Sequence, residues 1–257
     1  MAAPWISVIT VVKDDPEGFV RTLDSVRSQS HRDFELIIVD GSGDRGQIPR
    51  LLGQTPAVYV WSEPTGIYPA MNEALYLASG EFAFFLNAGD YFRQTTVLTR
   101  SRERLEGRYW GFGPIEIIER GGAVVTTPSW DYPQELGRRF SRGHFPAHQG
   151  TFARRDLLVS FGGFDTSYVI AADYAMAMRL ARHSDPALLP FTVATFREGG
   201  ASTMNWEKSF REFHRARQEI WAPRGFAAVR EYWDTSLHFL SVWFNRRVLS
   251  PLRGETQ

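Results

Sequence analysis

The chain has 257 residues, of which 43% are hydrophobic and 23% charged, and its 29 basic residues are balanced by 29 acidic ones. This composition is typical of a globular protein and excludes intrinsic disorder and collagen-like repeats. The zero formal charge argues against nucleic acid as a partner, because nucleic-acid-binding proteins usually carry a basic excess. The sequence has no cysteine, which excludes disulfides, thiolate zinc sites and cysteine nucleophiles.

The apolar segments are too short to span a membrane. The first is rich in β-branched residues and ends at Lys13, so it predicts a buried strand and not a signal peptide. Later segments such as FAFFL and LHFLSVWF fall well below the roughly 20 apolar residues that a spanning helix needs. We therefore expect a soluble, cytoplasmic protein.

Four apolar runs in the N-terminal third predict strands that are covered on both faces, because the runs lack polar alternation. They are Ile6–Val12, Phe34–Val39, Ala57–Trp61 and Phe82–Leu86. Helical patterns separate some of these runs, which indicates an α/β fold with a mostly parallel sheet. Ligands of such sheets bind at the carboxyl ends of the strands, so the residues after the runs are the first candidates for a site.

Capping signals and apolar periodicity predict three helices around these strands. The first follows Asp15, a suitable N-cap, and has proline at its first position. The second is predicted over about Pro69–Ser79. The third ends at His183 and begins at Ser167 or Ala171, because its apolar residues share one face.

Polar residues suited to ligand binding follow the second and fourth runs. Asp40 opens the turn VDGSGD, where a carboxylate can accept a hydrogen bond from a base or ribose while glycines allow close backbone approach. Asn87 and Asp90 in LNAGD supply hard oxygen ligands, which suit Mg²⁺ or Mn²⁺. Taken alone, both segments are also typical of ordinary capped turns and loops.

Two later segments add a carboxylate and a polar pair. Asp173, in AADY, has small neighbours and opens a predicted helix, so it suits a general base and equally a plain N-cap. His148 and Gln149 lie just upstream in GHFPAHQGTF. A lone histidine is more often structural than a ligand, so this segment becomes a candidate site only in combination with the other segments.

Several motifs resemble one family in their order and spacing. They are ISVITVVKDD, LIIVDGSGD, GIYPAMNEA, LNAGD, HQGTF, AADY and FREGGAST, and they span about positions 5 to 205. Together they resemble the inverting family 2 glycosyltransferases of the GT-A fold, in the branch with colanic-acid-type and mycobacterial phenolic-glycolipid transferases. The resemblance implies a mostly parallel central sheet flanked by helices. We expect a GT-A domain over residues 1–205, with a nucleotide-binding half (1–90) and an acceptor-binding half (91–205), followed by a C-terminal helical extension (206–257).

The resemblance implies five residues on the nucleotide side. Thr10 and Val12 at the end of the first strand and Asp40 after the second would hold the nucleotide. Asn72, in the second predicted helix, would touch the ribose or base. Asn87 stands where the family usually has the first Asp of its DxD-type motif.

The same resemblance implies the roles of the remaining candidates. Asp90 would bind Mn²⁺ or Mg²⁺ together with the diphosphate. Asp173 would be the catalytic base. His148 and Gln149 would line the acceptor side or the donor-sugar side of the cleft.

The implied reaction moves a hexosyl or deoxyhexosyl group from a nucleotide-diphosphate sugar to a hydroxyl of a glycan, glycolipid or secondary-metabolite acceptor. The cation would stabilise the leaving diphosphate, and Asp173 would take the hydroxyl proton in a single inverting displacement. One alternative is a non-catalytic nucleotide- or carbohydrate-binding protein on a degenerate transferase scaffold, which Asn87 favours. Another is a sugar-phosphate nucleotidyltransferase, but the N-terminal run lacks the glycine-rich signature of that class.

An apolar stripe marks the last part of the chain. Trp233, Leu237, Leu240, Phe244 and Val248 fall on one side of a predicted helix, and arginines lie nearby. The stripe predicts packing on the domain or a homodimer contact, and alternatively peripheral contact with a membrane near a lipid-linked acceptor.

Overall fold

The computed structural model describes residues 3–119, 121–127, 136–197 and 206–223, and positions 225, 226, 229, 231–233 and 235–237. The strands in these ranges are β1 (Ile6–Val12), β2 (Phe34–Asp40), β3 (Val58–Trp61), β4 (Phe82–Phe85), β5 (Tyr91–Phe92), β6 (Trp110–Phe112), β7 (Ile115–Ile118), β8 (Val124–Thr126), β9 (Thr151–Arg154), β10 (Ala187–Leu188) and β11 (Ala194–Arg197). The helices are α1 (Pro16–Arg27), α2 (Gln47–Leu52), α3 (Ile67–Leu77), α4 (Val97–Leu105), α5 (Leu136–Ser141), α6 (Arg155–Ser160), α7 (Ala172–His183) and α8 (Trp206–Ile220).

The four predicted strands and three predicted helices are confirmed, with small shifts at their ends. The carboxylate of Asp15 accepts a 2.8 Å hydrogen bond from the backbone N–H of Gly18, as expected of an N-cap. Helix α3 begins at Ile67, two residues before the predicted start. The reason is that Pro69 stands inside the first turn, where a backbone N–H has no intrahelical partner and proline is tolerated.

The larger sheet of the described part has the strand order β10-β6-β9-β4-β1-β2-β3. Its neighbours are parallel except at β9, which runs antiparallel between β4 and β6. The prediction of a mostly parallel sheet is therefore confirmed. This topology brings the carboxyl ends of β1, β2 and β4 and the amino end of β9 to the same edge.

Both faces of this sheet are covered, which explains the continuous apolar runs. Ile9 and Val11 of β1 face a core shared with α3, α6 and α7. Val8 and Val12 face the opposite core, shared with α1, α2 and α4. All seven residues of β1 are buried.

A smaller sheet has the order β5-β11-β7-β8. Strands β7 and β8 form a hairpin, and Gly121 and Gly122 lie between them. Gly122 has φ of 85°, a conformation that favours glycine.

Helix α8 packs against α7. The ring centroids of Phe213 and Tyr174 lie 4.4 Å apart. The buried Arg217 donates hydrogen bonds to the Tyr174 hydroxyl (2.9 Å) and to the carbonyl of Phe140 (3.3 Å). The helical character predicted after the first domain is thus confirmed for 206–220, while the division of the chain at residue 205 stays a prediction.

The stripe predicted at the C-terminus is described only in part. Trp233 and Leu237 are 61% and 59% exposed. Leu240, Phe244 and Val248 lie outside the described residues. In the ranges that the structure describes, no helix is both long enough and apolar enough to cross a membrane.

Candidate active site

The site lies at the edge of the large sheet where the parallel strands end. The chain leaves β4 there and continues into the turn that holds Asn87 and Asp90. Because β9 is antiparallel to β4, with Phe152 opposite Phe84, the residues just before β9 arrive at the same edge. These residues form a short 3₁₀ turn, His148–Gly150. Two segments about sixty residues apart in sequence therefore meet.

Asn87 and Asp90 form a tight, buried turn. The N–H of Asp90 donates to the carbonyl of Asn87 over 2.9 Å, and the Thr22 hydroxyl donates to the Asp90 carbonyl over 2.6 Å. Burial raises the pKa of Asp90 to about 7, against the opposing effects of the nearby His148 and a hydrogen bond with the Gln149 side chain. The side-chain oxygen of Asn87 is buried and has no hydrogen-bond partner among the residues that the structure describes.

His148 connects this turn to Asp173. Its Nε2 lies 3.4 Å from Nδ2 of Asn87, and its Nδ1 lies 3.3 Å from Oδ2 of Asp173. The Asn87 amide nitrogen is placed as a donor to Nε2, an arrangement that corresponds to the tautomer with its ring proton on Nδ1. The Nδ1–H then donates to Asp173, and the three side chains form one continuous hydrogen-bonded chain.

Asp173 lies in the first turn of α7, where a carboxylate interacts favourably with the helix dipole. Its Oδ1 accepts a hydrogen bond from the backbone N–H of Tyr174 (2.8 Å) and lies 3.2 Å from the hydroxyl of Tyr68, whose single proton also points to the closer carbonyl of Ile170. Burial, with a contribution from Asp173, raises the pKa of the Tyr68 phenol above its ordinary value, so the hydroxyl remains a donor. Sequence reasoning missed Tyr68, although it stands in the quoted motif GIYPAMNEA.

A cavity of about 370 Å³ opens on the other side of Asp173. Its wall is largely aromatic and apolar, and includes Phe145, Phe213 and Ile170. Arg142 and His144 stand at the same cavity. Asp173 thus lies between the polar turn after β4 and a space large enough for a substrate group.

Asn87 and Asp90 are suited to a divalent cation. No cluster of three or more His, Cys, Asp or Glu side chains with metal-ligand geometry occurs in the described ranges. The unpartnered amide oxygen of Asn87 and the buried Asp90 carboxylate nevertheless offer two hard oxygen donors. Mg²⁺ and Mn²⁺ are commonly held by one or two such groups and by substrate phosphates. The donor set therefore fits an ion that arrives with a diphosphate.

Three residues predicted to hold the nucleotide join the strand ends to one another. The Thr10 hydroxyl donates to the Leu86 carbonyl over 2.9 Å, and the Val12 carbonyl accepts the N–H of Gly41 over 2.9 Å. Asp40 is fully buried and accepts from the Ser42 N–H and the Tyr59 hydroxyl. Their contact with a nucleotide stays a prediction.

Asn72 has a different set of contacts from the one expected. Its Nδ2 donates to the carbonyl of Phe164, and its Oδ1 accepts the N–H of Phe164, both over 2.7 Å. The side chain thereby ties α3 to the loop before α7. Its contact with ribose or base stays a prediction, and the structure shows its amide engaged with the protein backbone.

Further side chains near the ends of β1, β2 and β3 were not singled out from the sequence. The Trp61 indole N–H donates to the Ser42 carbonyl over 3.0 Å, and the Arg45 guanidinium lies 3.4 Å from the centroid of the Trp61 ring. Asp14 has φ of 51°, unusual for a non-glycine residue. The signal for Trp61 is its place as the last residue of a predicted strand.

Comparisons with known proteins indicate the class of this protein. A model of the family described as glycosyl transferase family 2 matches residues 7–109. The chain is 32% identical over 210 residues to the glycosyltransferase Rv1514c of Mycobacterium tuberculosis, a match that covers 79% of this chain and 78% of the relative. It is 28% identical over 223 residues to the PGL/p-HBAD biosynthesis glycosyltransferase Rv2957 of the same species, which covers 82% and 84%.

Solved structures share the fold. TarS 1–349 of S. aureus, in complex with UDP, gives a TM-score of 0.68 at 17% identity over 98% of this chain and 75% of that chain. The mannosyltransferase PcManGT of Pyrobaculum calidifontis, in complex with GDP-Man and Mn²⁺, gives 0.62 at 16% identity over 96% and 76%. Fold and relatives together define a nucleotide-sugar-dependent glycosyltransferase with the GT-A fold. The chain belongs to glycosyl transferase family 2, and the resemblance read from the sequence is confirmed.

Proposed function

We propose that this enzyme transfers a sugar from a nucleotide-diphosphate donor to an acceptor hydroxyl with inversion, and that Asp173 is the catalytic base. The observation that carries the proposal is the chain from Asn87 through His148 to Asp173, with a cavity beyond it. The residues on one side suit a diphosphate, and the space on the other suits an acceptor.

On the donor side, we assign the diphosphate and its cation to the turn after β4. Asp90 and the amide oxygen of Asn87 would hold Mn²⁺ or Mg²⁺. When bound, the ion neutralises charge that develops on the leaving diphosphate. Thr10, Val12, Asp40 and Asn72 are our candidates for shaping the nucleotide end. Support for a cation and a nucleotide sugar comes from PcManGT, whose structure holds Mn²⁺ and GDP-Man.

On the acceptor side, Asp173 would accept the proton of the attacking hydroxyl. An alcohol is a poor nucleophile at neutral pH, so a base at hydrogen-bond distance lowers the barrier as the new bond forms. The oxygen forms its bond to C1 while the bond from C1 to the diphosphate oxygen breaks, and one such displacement inverts the anomeric centre. His148 and Gln149 would orient the base and the donor sugar.

The acceptor is proposed to be a glycan, a glycolipid or a secondary metabolite. The largely apolar wall of the cavity supports an acceptor that brings some apolar surface. The relative Rv2957, a PGL/p-HBAD biosynthesis glycosyltransferase, supports the same range. We further propose a cytoplasmic enzyme whose C-terminal helices pack on the domain, with a homodimer contact or peripheral membrane contact as alternatives.

Asp173→Asn is the direct test of the base. The donor is first identified by calorimetric titration with UDP, GDP and dTDP in the presence of Mn²⁺. Nucleotide release is then measured with the matching nucleotide sugars and with p-nitrophenyl glycosides as acceptors. We expect Asp173→Asn to bind nucleotide as the wild type does and to lose turnover by at least about 100-fold. Asp165→Asn is the matched control, because Asp165 lies in the loop that leads into α7 and pairs with Arg179.

The stereochemistry and the cation are tested separately. Proton NMR of the first-formed product should show the anomeric configuration opposite to that of the donor. Omission of Mn²⁺ or the change Asp90→Ala should weaken nucleotide binding in calorimetry. Retained configuration would overturn the single displacement, and nucleotide binding that ignores both Mn²⁺ and Asp90 would overturn the ion site.

A further inference from the structure

The backbone N–H groups just before Asp173 donate hydrogen bonds to a buried carboxylate from α8. Glu212 is 8% exposed. Its Oε2 accepts the N–H groups of Ile170 (2.8 Å) and Ala171 (3.0 Å), and its Oε1 accepts that of Val169 (3.2 Å). These donors lie just before α7, whose N-cap is Ala171, and the N–H of the N-cap has no intrahelical partner. One side chain therefore satisfies three consecutive backbone donors.

The same segment is held from the opposite element by Tyr68 of α3. The Tyr68 hydroxyl donates to the carbonyl of Ile170 and contacts Oδ1 of Asp173 at 3.2 Å. The tyrosine is 7% exposed, and its ring stacks on Phe164 with centroids 5.8 Å apart. Ile170 is thus bonded at its N–H by Glu212 and at its carbonyl by Tyr68.

We propose that Tyr68 and Glu212 are positioning residues that together set the place of the Asp173 carboxylate against the acceptor hydroxyl. The inference rests on the proposed function, in which Asp173 is the base. It adds that two helices align the base jointly. They are α3, in the predicted nucleotide-binding half, and α8, in the predicted C-terminal extension. Helix α8 is then part of the catalytic apparatus, and not only a cover over α7.

The geometry gives the reason why both contacts matter. Asp173 follows Ala171 by two residues, so a shift of the 169–171 backbone moves the Asp173 carboxylate by nearly the same distance. A misplacement of about 1 Å in a reacting group costs roughly 100-fold in rate. A carboxylate that binds three N–H groups is also a strong anchor, because hydrogen bonds to an ionised acceptor are the stronger kind.

The test compares two substitutions with two matched controls. Tyr68→Phe removes only the hydroxyl, and Glu212→Gln keeps the shape of the side chain while it loses one acceptor oxygen. The controls are Tyr168→Phe and Glu219→Gln, a tyrosine–glutamate pair that joins the same loop to α8. The Tyr168 hydroxyl donates to Oε2 of Glu219 over 2.5 Å, and Glu219 also binds Arg215.

We expect kcat to fall about 10-fold in Tyr68→Phe and Glu212→Gln and about 100-fold in Glu212→Ala. Donor Kd by calorimetry should change less than about twofold in all three, because these side chains hold Asp173 or the backbone just before it and do not contact the turn after β4. The graded series from Gln to Ala at one position distinguishes alignment from simple unfolding. The two control variants should keep kcat near that of the wild type.

Each outcome decides a different claim. If Asp173→Asn retains turnover, the proposed function fails, whatever the other variants do. If Asp173→Asn is inactive while Tyr68→Phe and Glu212→Gln keep wild-type kcat, the positioning proposal is wrong and the base assignment stands. Equal losses in the control pair would also overturn it, because any disturbance of the loop would then suffice. Should the Glu212 variants fail to fold, Tyr68→Phe alone decides the question.

Discussion

Nδ1 of His148 lies 3.3 Å from Oδ2 of Asp173, while Nε2 of the same ring lies 3.4 Å from the Asn87 amide. The imidazole therefore spans the distance between the turn after β4 and the first turn of α7. Both ring nitrogens are used, and their partners require opposite roles, one acceptor and one donor. This relationship ties the proposed donor and acceptor sides together.

The first prediction concerns His148. His148→Ala should lower kcat by roughly 10- to 100-fold, because Asp173 loses a hydrogen bond that holds one of its two oxygens. His148→Asn should recover part of that loss, because its amide can still donate from near the position of Nδ1. The measurement is steady-state kinetics on both variants at saturating donor. An alanine variant as active as the wild type would show that the bond has no catalytic role.

The second prediction concerns the stability cost of Asp90 in the metal-free protein. An aspartate in an unfolded chain titrates near pH 3.9, whereas burial raises the pKa of folded Asp90 to about 7. The folded state therefore binds more protons between these values, and its stability falls as the pH rises from about 4 to about 7. Asp90→Asn should remove this cost, which is roughly 4 kcal/mol at most above pH 7.

The measurement is the free energy of unfolding at pH 5, 6, 7 and 8 with a chelator present. The wild type should lose stability relative to Asp90→Asn as the pH rises, and Mn²⁺ with nucleotide diphosphate should restore it in the wild type only. Parallel pH curves for the two proteins would show that Asp90 carries no such cost.

Sequence patterns predicted the parts of the site that follow from the parallel strands. Asn87 and Asp90 come directly after a buried run, so their place at the sheet edge follows from strand direction alone. The meeting of His148 with Asp173 depends on β9, which inserts antiparallel between β4 and β6. No local signal reveals that insertion, so only the family resemblance brought these residues together in advance.

Other features escaped the sequence for physical reasons. Tyr68 sits among apolar helix residues and has the burial of a core side chain, while its hydroxyl partner lies 105 positions away. Helix α2 has only six residues, too few to show a period. Asn72 was assigned to the nucleotide because of its motif, yet its amide pairs with a loop 92 positions away.

The third prediction tests this pairing through Gly163. Gly163 has φ of 73°, and a Cβ added there would overlap the amide oxygen of Asn72. Gly162 has φ of 80°, but a Cβ there would meet no atom of the described residues within 4 Å. Gly162→Ala should thus cost only the backbone strain, about 1–2 kcal/mol, whereas Gly163→Ala should cost clearly more because Asn72 must also leave Phe164. Urea denaturation of both variants checks the difference. Equal losses in the free energy of unfolding would show that the loop and Asn72 can move apart at little cost.

The fourth prediction concerns the buried ion pair beneath α8. Nε of Arg217 lies 2.6 Å from Oε1 of Glu231, with side chains 2% and 8% exposed. Burial works to raise the pKa of Glu231, but hydrogen bonds from Arg217 and Thr235 outweigh it, and the pKa falls below its ordinary value. The stabilisation from this carboxylate is therefore present above the unfolded pKa near 4.3 and is lost as the pH falls through the lower folded value.

Glu231→Gln should destabilise the protein by about 3 kcal/mol at pH 7, because it leaves the buried Arg217 guanidinium without its counter-charge. The loss should shrink as the pH falls below about 4, where the wild-type carboxylate also becomes protonated. The measurement is urea denaturation at pH 7 and at the lowest pH where both proteins fold.

Arg215→Gln, which breaks the half-exposed pair of Arg215 with Glu219, is the matched control and should change stability little. A Glu231→Gln variant as stable as that control would show that the other acceptors of Arg217 suffice, namely the hydroxyls of Thr235 and Tyr174 and the carbonyl of Phe140.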